Sequence, residues 1–487
     1  MPPAPLPPLF PHQSAALTRA LDRGGSLALF HDPGLGKTRT CLELYQRLRV
    51  TTPDLTLLVL CPLSLVNAVW RTEAEAFGLT FAHFPDLDSS ADVWALNYER
   101  AIRPTMEPRL RERLHRPTLL VCDESSRLKD SRSLTTKTVL TLAPRCMARV
   151  VCSGTPTPNG LEEVWAQIAV VDPSRVDRSF YSWRRTWFHL ARRGHQVDAP
   201  PSSFAMHSLF QSGWRWDITA AKKTALLTRI APAVDWVKKA DALSLPEKVT
   251  TIRHVTFSPE EHRAYEQMRR QLVVEFEQEA VTAELALTKL GKLRQLSSGF
   301  LYGETTHVLG TSRLTVLFET LEELGNQPVI IWCQFRQEIE QISNVLSERA
   351  RTLYAETPDV SQSLNDFGTV AQYLIAHPRS AAHGLTLTQC AAAVWYSLDW
   401  SLEAYVQAND RIHRIGQTRS CLYVHLIAPG RIDEHIWSVL QHKTSLQAAL
   451  DAALGGRSTN RHHPSDSPPR PVGVGVPSLG SVAVGHS

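Results

Sequence analysis

At 487 residues, with 43% hydrophobic and 21% charged residues and a formal net charge of +4, the chain is too long for one core. Its composition is too ordinary for a disordered, fibrous or disulfide-stapled protein. The mild positive charge announces no nucleic-acid partner by itself, so any basic surface is local. Eight scattered cysteines without a Cys-x-x-Cys pair point to reduced thiols in a cytosol-like compartment. No segment is long and apolar enough to cross a bilayer.

The proline-rich lead Met1–Pro8 lacks the basic-then-apolar order of a signal peptide. Leu9–Leu17 reads as a short amphipathic helix, and Ser26–Phe30 as a buried strand running into His31-Asp-Pro-Gly-Leu-Gly-Lys-Thr38 and a helix over Arg39–Tyr45. Gly34 and Gly36 let backbone pass close to a phosphate, so that amide N–H groups and the helix's positive end face the anion. Lys37 reaches β/γ-phosphates and the Thr38 hydroxyl holds Mg²⁺ in such a loop. The full pattern asks for glycine at position 31, where this chain has His31. Further strands follow at Leu55–Leu60, Val93–Leu96, Thr118–Cys122 and Val150–Cys152, each ending in polar residues. That alternation predicts an α/β fold with a parallel sheet and a site at the strand carboxyl ends.

From about 172 to 243 the chain is rich in Arg and Trp (Trp183, Trp187, Trp214, Trp216, Trp236) and shows no strand alternation, which predicts an inserted helical subdomain whose tryptophans pack a core. Helical periodicity covers Pro259–Gln278 and Ala280–Leu296. A second α/β pattern has strands at Pro328–Trp332, Ala371–Ala376, Ala392–Tyr396 and Cys421–Ile427, and a last helix at Ile432–Leu454. Beyond Gly455 the chain is Pro, Ser, Gly and Val without periodicity and is expected to be disordered.

Asp123 and Glu124, after an apolar strand downstream of the loop, are the natural pair for Mg²⁺ binding (Asp123) and for orienting and deprotonating water (Glu124). Gln407 to Gln417 supplies Arg411 and Arg414, three apart and on one face if the segment is helical, able to reach a γ-phosphate across a cleft between lobes.

Taken together, the chain resembles a Swi/Snf-like ATPase of helicase superfamily two, in compact, bacteriophage-type form, from Leu9 to Leu454. Pro11-His-Gln13 resembles the adenine-reading glutamine motif, Asp32 to Thr38 motif I, Cys61-Pro-Leu-Ser-Leu65 with Trp70 motif Ia, and Asp123 to Lys129 motif II. Ser153-Gly-Thr-Pro156 with Asn159 resembles motif III, Leu245-Pro-Glu-Lys248 the interlobe signature, Val329–Trp332 motif IV, His383 to Leu387 motif V, and Gln407 to Gln417 motif VI. Ser126 stands where motif II usually has histidine, Thr386 where motif V usually has asparagine, and Arg431 where threonine usually precedes Ile432-Asp-Glu434.

The resemblance implies two RecA-like parallel-sheet lobes in tandem, over 1–245 and 246–455, with helical insertions at about 172–243 and 259–296 and a tail at 456–487. It implies ATP and Mg²⁺ held by Gln13, Pro33, Gly34, Leu35, Gly36, Lys37, Thr38, Arg39 and Asp123. It also implies sequence-nonspecific tracking of double-stranded DNA through Pro62, Ser64, Ser126, Ser153, Thr155, Gly384, Thr386 and Gln407, with Ser64 and Thr155 offering hydroxyls to phosphates. The activity expected is that of an ATP-dependent DNA translocase or helicase acting in a cytoplasm, that of the host if phage-encoded. The rival readings are an ATP-switched remodelling scaffold with little hydrolysis, and an RNA helicase.

Overall fold

Leucine-, valine- and isoleucine-rich runs bounded by polar turns form fully buried strands, because a parallel sheet covered on both faces leaves no solvent side. In the computed structural model, β1 (Leu27–His31), β2 (Thr56–Cys61), β3 (Phe81–His83), β4 (Val93–Asn97), β5 (Thr118–Asp123) and β6 (Ala148–Cys152) are such strands. The structure describes residues 6–83, 90–192, 195–197, 215–278, 283–380 and 385–455. Alternate residues feed two cores: Ala28 and Phe30 point to one side of the sheet, Leu27 and Leu29 to the other.

The expectation of a strand-free helical insertion at 172–243 is corrected. The segment holds helices Phe180–Trp187 and Ala220–Ile230, but also β7 (His189–Arg192), β8 (His195–Val197) and β9 (Arg215–Asp217) in a small antiparallel sheet. β10 (Val234–Val237) returns to the first sheet and pairs in parallel with β1. Strands of three or four residues are too short to show alternation, which hid them in the sequence. Trp183 is fully buried, and Trp187, Trp216 and Trp236 pack against the first core, as a packing role predicts. Trp214 and the tail over 456–487 lie outside the described residues.

The first sheet runs β10-β1-β6-β5-β2-β4-β3, all parallel. A second parallel sheet uses β11 (Lys248–His254), then, after a β12 (Phe300–Tyr302) and β13 (Thr306–Val308) hairpin, β14 (Val329–Trp332), β15 (Ala350–Leu353), β16 (Tyr373–Ala376), β17 (Ala392–Trp395) and β18 (Cys421–Ile427). Its order is β11-β18-β17-β14-β16-β15. Helices occupy Pro259–Gln278, Ala283–Ser297 and Ile432–Gly455. The described residues up to Gly455 form one compact unit. Parallel pairing brings all strand carboxyl ends of a sheet to one edge. In the first sheet, Cys152 is in register with both Leu29 and Asp123, which levels the ends of β1, β6 and β5.

Candidate nucleotide site between two lobes

The loop after β1 turns through Gly34 and Gly36, both left-handed at φ 86° and 73°, a conformation that favours glycine. Gly36 caps the Lys37–Thr51 helix without any side-chain cap, and the first turn carries no acid. The helix's first N–H groups and positive end are thereby left for an anion. Lys37 Nζ donates to the carbonyls of His31 (2.8 Å) and Asp32 (3.4 Å), folded over the loop. Thr38 is the second residue of that helix.

Gln13, buried, donates from Nε2 to the carbonyls of Leu35 and Gly36 (3.3 Å each) and accepts from the Phe10 N–H (2.9 Å). In this arrangement its amide props the loop. Pro33 touches the motif III turn: a Cβ built on Gly154 would sit 2.7 Å from Pro33 Cδ. Arg39 donates to the Pro7 carbonyl in the lead segment.

His31, the departure from the loop pattern, is completely buried and bonds Asp235 of β10 through Nε2 at 2.7 Å. Burial lowers its pKa against the pull of Asp235. For Asp235, burial pushes upward, but the bonds from His31 and Arg19 outweigh it and hold the carboxyl below its usual range. The His31–Asp235 bond thus ties β1 to its edge neighbour, a use for the side chain that a glycine lacks.

At the end of β5, Asp123 accepts from Trp70 Nε1 and from the Glu124 N–H, both at 3.0 Å. Glu124 is left-handed at φ 50°, one of two such non-glycine residues among those described, a strain typical of functional turns. Burial raises the Asp123 carboxyl, opposed by Lys37. Burial and then the Asp123 charge push Glu124 up to about 7, opposed by Lys37 and by Arg411.

Arg411 belongs to the other lobe. The Leu402–Asn409 helix ends before it, so Arg411 and Arg414 do not share a helical face. They converge instead through one carbonyl, Leu385 O, at 3.2 and 2.8 Å. Arg411 is 8% exposed. Burial, then Arg414, pull its pKa down to about 10, with Asp410 and Glu124 opposing. Arg414 Cβ lies 3.8 Å from where a Cβ on Gly34 would be. Arg414 therefore borders the first lobe's loop at Gly34, and Arg411 is nearly buried beside it.

Lys239, just after β10, joins the same junction. Its N–H donates to Asp32 Oδ2 (2.8 Å), and its buried ammonium meets Asp410 Oδ1 (2.9 Å) and the His413 carbonyl (3.0 Å). Burial lowers its pKa, against the pull of Asp410. Lys248 also reaches Asp410 at 3.2 Å. A cavity of about 590 Å³ opens here, lined by Asp32, Lys239, Lys248, Asp410 and His413 among others. Removing one partner strands a buried charge, so Lys239→Met is expected to cost about 3 kcal/mol in a denaturant titration, the low end for a broken buried pair because Lys248 remains. An unchanged midpoint would count against the pairing.

The residues expected to meet nucleic acid divide. Ser64 is exposed and Pro62 buried. Ser153 and Thr155 are 0% and 3% exposed, with Thr155 N–H turned onto Ser153 Oγ at 3.1 Å. Thr155 is thus a buried part of the turn that follows β6. Gln407 is buried and Thr386 exposed. Gly384 lies outside the described residues. Ser126, almost fully buried, bonds Glu403 of the second lobe at 2.9 Å.

The SNF2-related domain family matches residues 12–299, more than half of the chain, and the Helicase conserved C-terminal domain matches 312–416. The chain belongs to the SNF2-related family. Putative protein p41 of Acyrthosiphon pisum secondary endosymbiont phage 1 is 24% identical over 91% of this chain and 98% of its own length. The SWI/SNF-related matrix-associated actin-dependent regulator of chromatin subfamily A-like protein 1 of Xenopus laevis is 24% identical over 93% of this chain and 45% of its own. The chain thus spans nearly all of the phage protein and under half of the amphibian one. The Sulfolobus solfataricus SWI2/SNF2 ATPase core in complex with dsDNA is 21% identical, covering 94% of this chain and 95% of that one, with a TM-score of 0.42.

Three residues of this SNF2-type site escaped the sequence reading. Gln167 accepts from Ser125 Oγ (2.7 Å) and donates to the Pro156 carbonyl (2.6 Å), tying motif II to motif III. A lone amide inside the apolar helix Val164–Val171 was the available signal. Lys239 and Glu403 carried none, since their partners are remote in the chain.

Proposed function

We propose that this SNF2-family chain hydrolyses ATP between its two lobes and uses the cycle to track along duplex DNA in the cytoplasm. The observation that carries the reading is that the second lobe's arginines meet the first lobe's loop: Arg414 Cβ lies 3.8 Å from where a Cβ on Gly34 would be, and the nearly buried Arg411 shares the Leu385 carbonyl with it. Neither side has a use in isolation: a base without the opposing cation, or a cation without the loop, would leave the γ-phosphate's charge unanswered.

In this reading the loop over Pro33–Arg39 holds the triphosphate through backbone N–H groups and Lys37, with Gln13 moving from its loop carbonyls toward the base. The lobe boundary falls near 245–246. The donor set suits a hard divalent cation, since Thr38 and Asp123 offer oxygen and burial raises the two adjacent carboxyls. Thr38 and Asp123 would hold Mg²⁺ there, and it would supply charge neutralisation for the phosphate oxygens. Glu124 orients water and takes its proton, while Arg411 and Arg414 face the charge that develops. Closure and reopening of the cleft move one lobe along the backbone relative to the other.

Duplex DNA is favoured by the family and by a relative named as a chromatin regulator. All eight cysteines are free and buried, in keeping with a reducing compartment, and among the described residues no helix is long and apolar enough to cross a membrane. Displacement of a triplex-forming strand from duplex DNA, in the presence of ATP, tests the reading. Release is expected from the native chain and not from Lys37→Ala, and release without ATP would overturn it. Because phosphates dominate such contacts, duplex affinity should fall about tenfold or more between 50 and 200 mM salt, with little change on altering the sequence; salt-independent binding would contradict it.

A further inference from the structure

The turn that carries Glu124 is tied on both sides. Ser125 Oγ donates to Gln167 within the first lobe, and the next residue, Ser126, donates from Oγ to Glu403 Oε1 in the second lobe at 2.9 Å. The turn is a single 3₁₀ segment, Ser125–Leu128, entered through the left-handed Glu124. It has little slack between the hydroxyl of Ser126 and the carboxyl two residues before it.

Glu403 lies in the first turn of the Leu402–Asn409 helix, and Arg411 follows the far end of that helix. The helix end is fixed in its own lobe by Trp395 Nε1 donating to Asn409 Oδ1 (3.0 Å) and Tyr423 OH donating to the Asn409 carbonyl (2.7 Å). The Leu402–Asn409 helix therefore bonds the turn after Glu124 at its first turn and leads into Arg411 beyond its other end. A second stitch, Lys443 Nζ donating to Asn159 Oδ1 at 3.0 Å, joins the Ile432–Gly455 helix to the motif III turn.

We propose that Glu403, acting through Ser126, is a positioning residue that sets the Glu124 turn against Arg411 when the lobes close. The proposal rests on the reading that this cleft hydrolyses ATP. The bond joins the two lobes beside Glu124, so its loss is expected to act on turnover more than on nucleotide binding.

The test is steady-state phosphate release by the full chain at saturating duplex, as a function of ATP, for Ser126→Ala, Glu403→Ala, the double variant, Ser126→Thr and Glu124→Gln. Ser126→Ala and Glu403→Ala are each expected to lower kcat about tenfold, with KM for ATP held within about twofold. The double variant should fall no further than either single change, because all three remove the same bond. Ser126→Thr, which keeps the hydroxyl, should lose less turnover than Ser126→Ala. Glu403→Gln, isosteric and still an acceptor, takes the place of Glu403→Ala if the latter does not fold, and should lose less. Unchanged kcat in both single alanine variants, or multiplicative losses in the double, would overturn the proposal. Hydrolysis that survives Glu124→Gln would overturn the hydrolytic reading itself and this inference with it. An inactive Glu124→Gln beside unaffected Ser126 and Glu403 variants would overturn this inference alone.

Discussion

Glu124→Gln should lower kcat about 10²–10⁴-fold, the usual worth of a positioned general base, while ATP binding is retained. The substitution keeps the shape of the side chain and removes only its capacity to take a proton. The site is built to make that capacity useful near neutrality. Burial and the Asp123 charge push the Glu124 carboxyl up to about 7, and Lys37 and Arg411 keep it from rising further. Its left-handed backbone and the ties of the following two residues hold it to one place. Phosphate release measured beside equilibrium titration of a fluorescent nucleotide separates the two effects. Loss of affinity together with turnover would instead mean that Glu124 organises the loop.

Arg411→Ala should lower kcat about 10³–10⁵-fold, the range found for a guanidinium that meets a transferring phosphoryl group. Arg411→Lys should restore little, because a planar fork is not replaced by a point charge. The geometry supports a large effect. The guanidinium is nearly buried, lies beside a second arginine that depresses its pKa, and donates to the Gln407 and Leu385 carbonyls. A variant that hydrolyses ATP at the native rate would remove the second lobe from the chemistry.

How much of this was legible in the sequence depended on burial and on distance along the chain. β1, β2, β5 and β14 are buried on both faces, so each is written as an unbroken apolar run. β11 is exposed along nearly all its length, so no apolar run marks it as a strand. The loop glycines, Lys37 and the acid pair were legible because each follows its strand within a few residues. Arg411 and Arg414 were legible as residues but not in their geometry, since the helix stops at Asn409 and a shared carbonyl aligns them. The contacts that make one site from two lobes were not legible. Ser126 and Glu403 are 277 positions apart, and no local periodicity encodes such a meeting. His31 was a mismatch to a pattern until β10 placed Asp235 beside it.

The most direct test of the central claim is phosphate release from ATP by the native chain and by Lys37→Ala, each with and without duplex DNA. The account predicts turnover that duplex raises in the native chain and that is absent from Lys37→Ala under both conditions. Equal turnover by the two proteins, or a native rate indifferent to duplex, would contradict it.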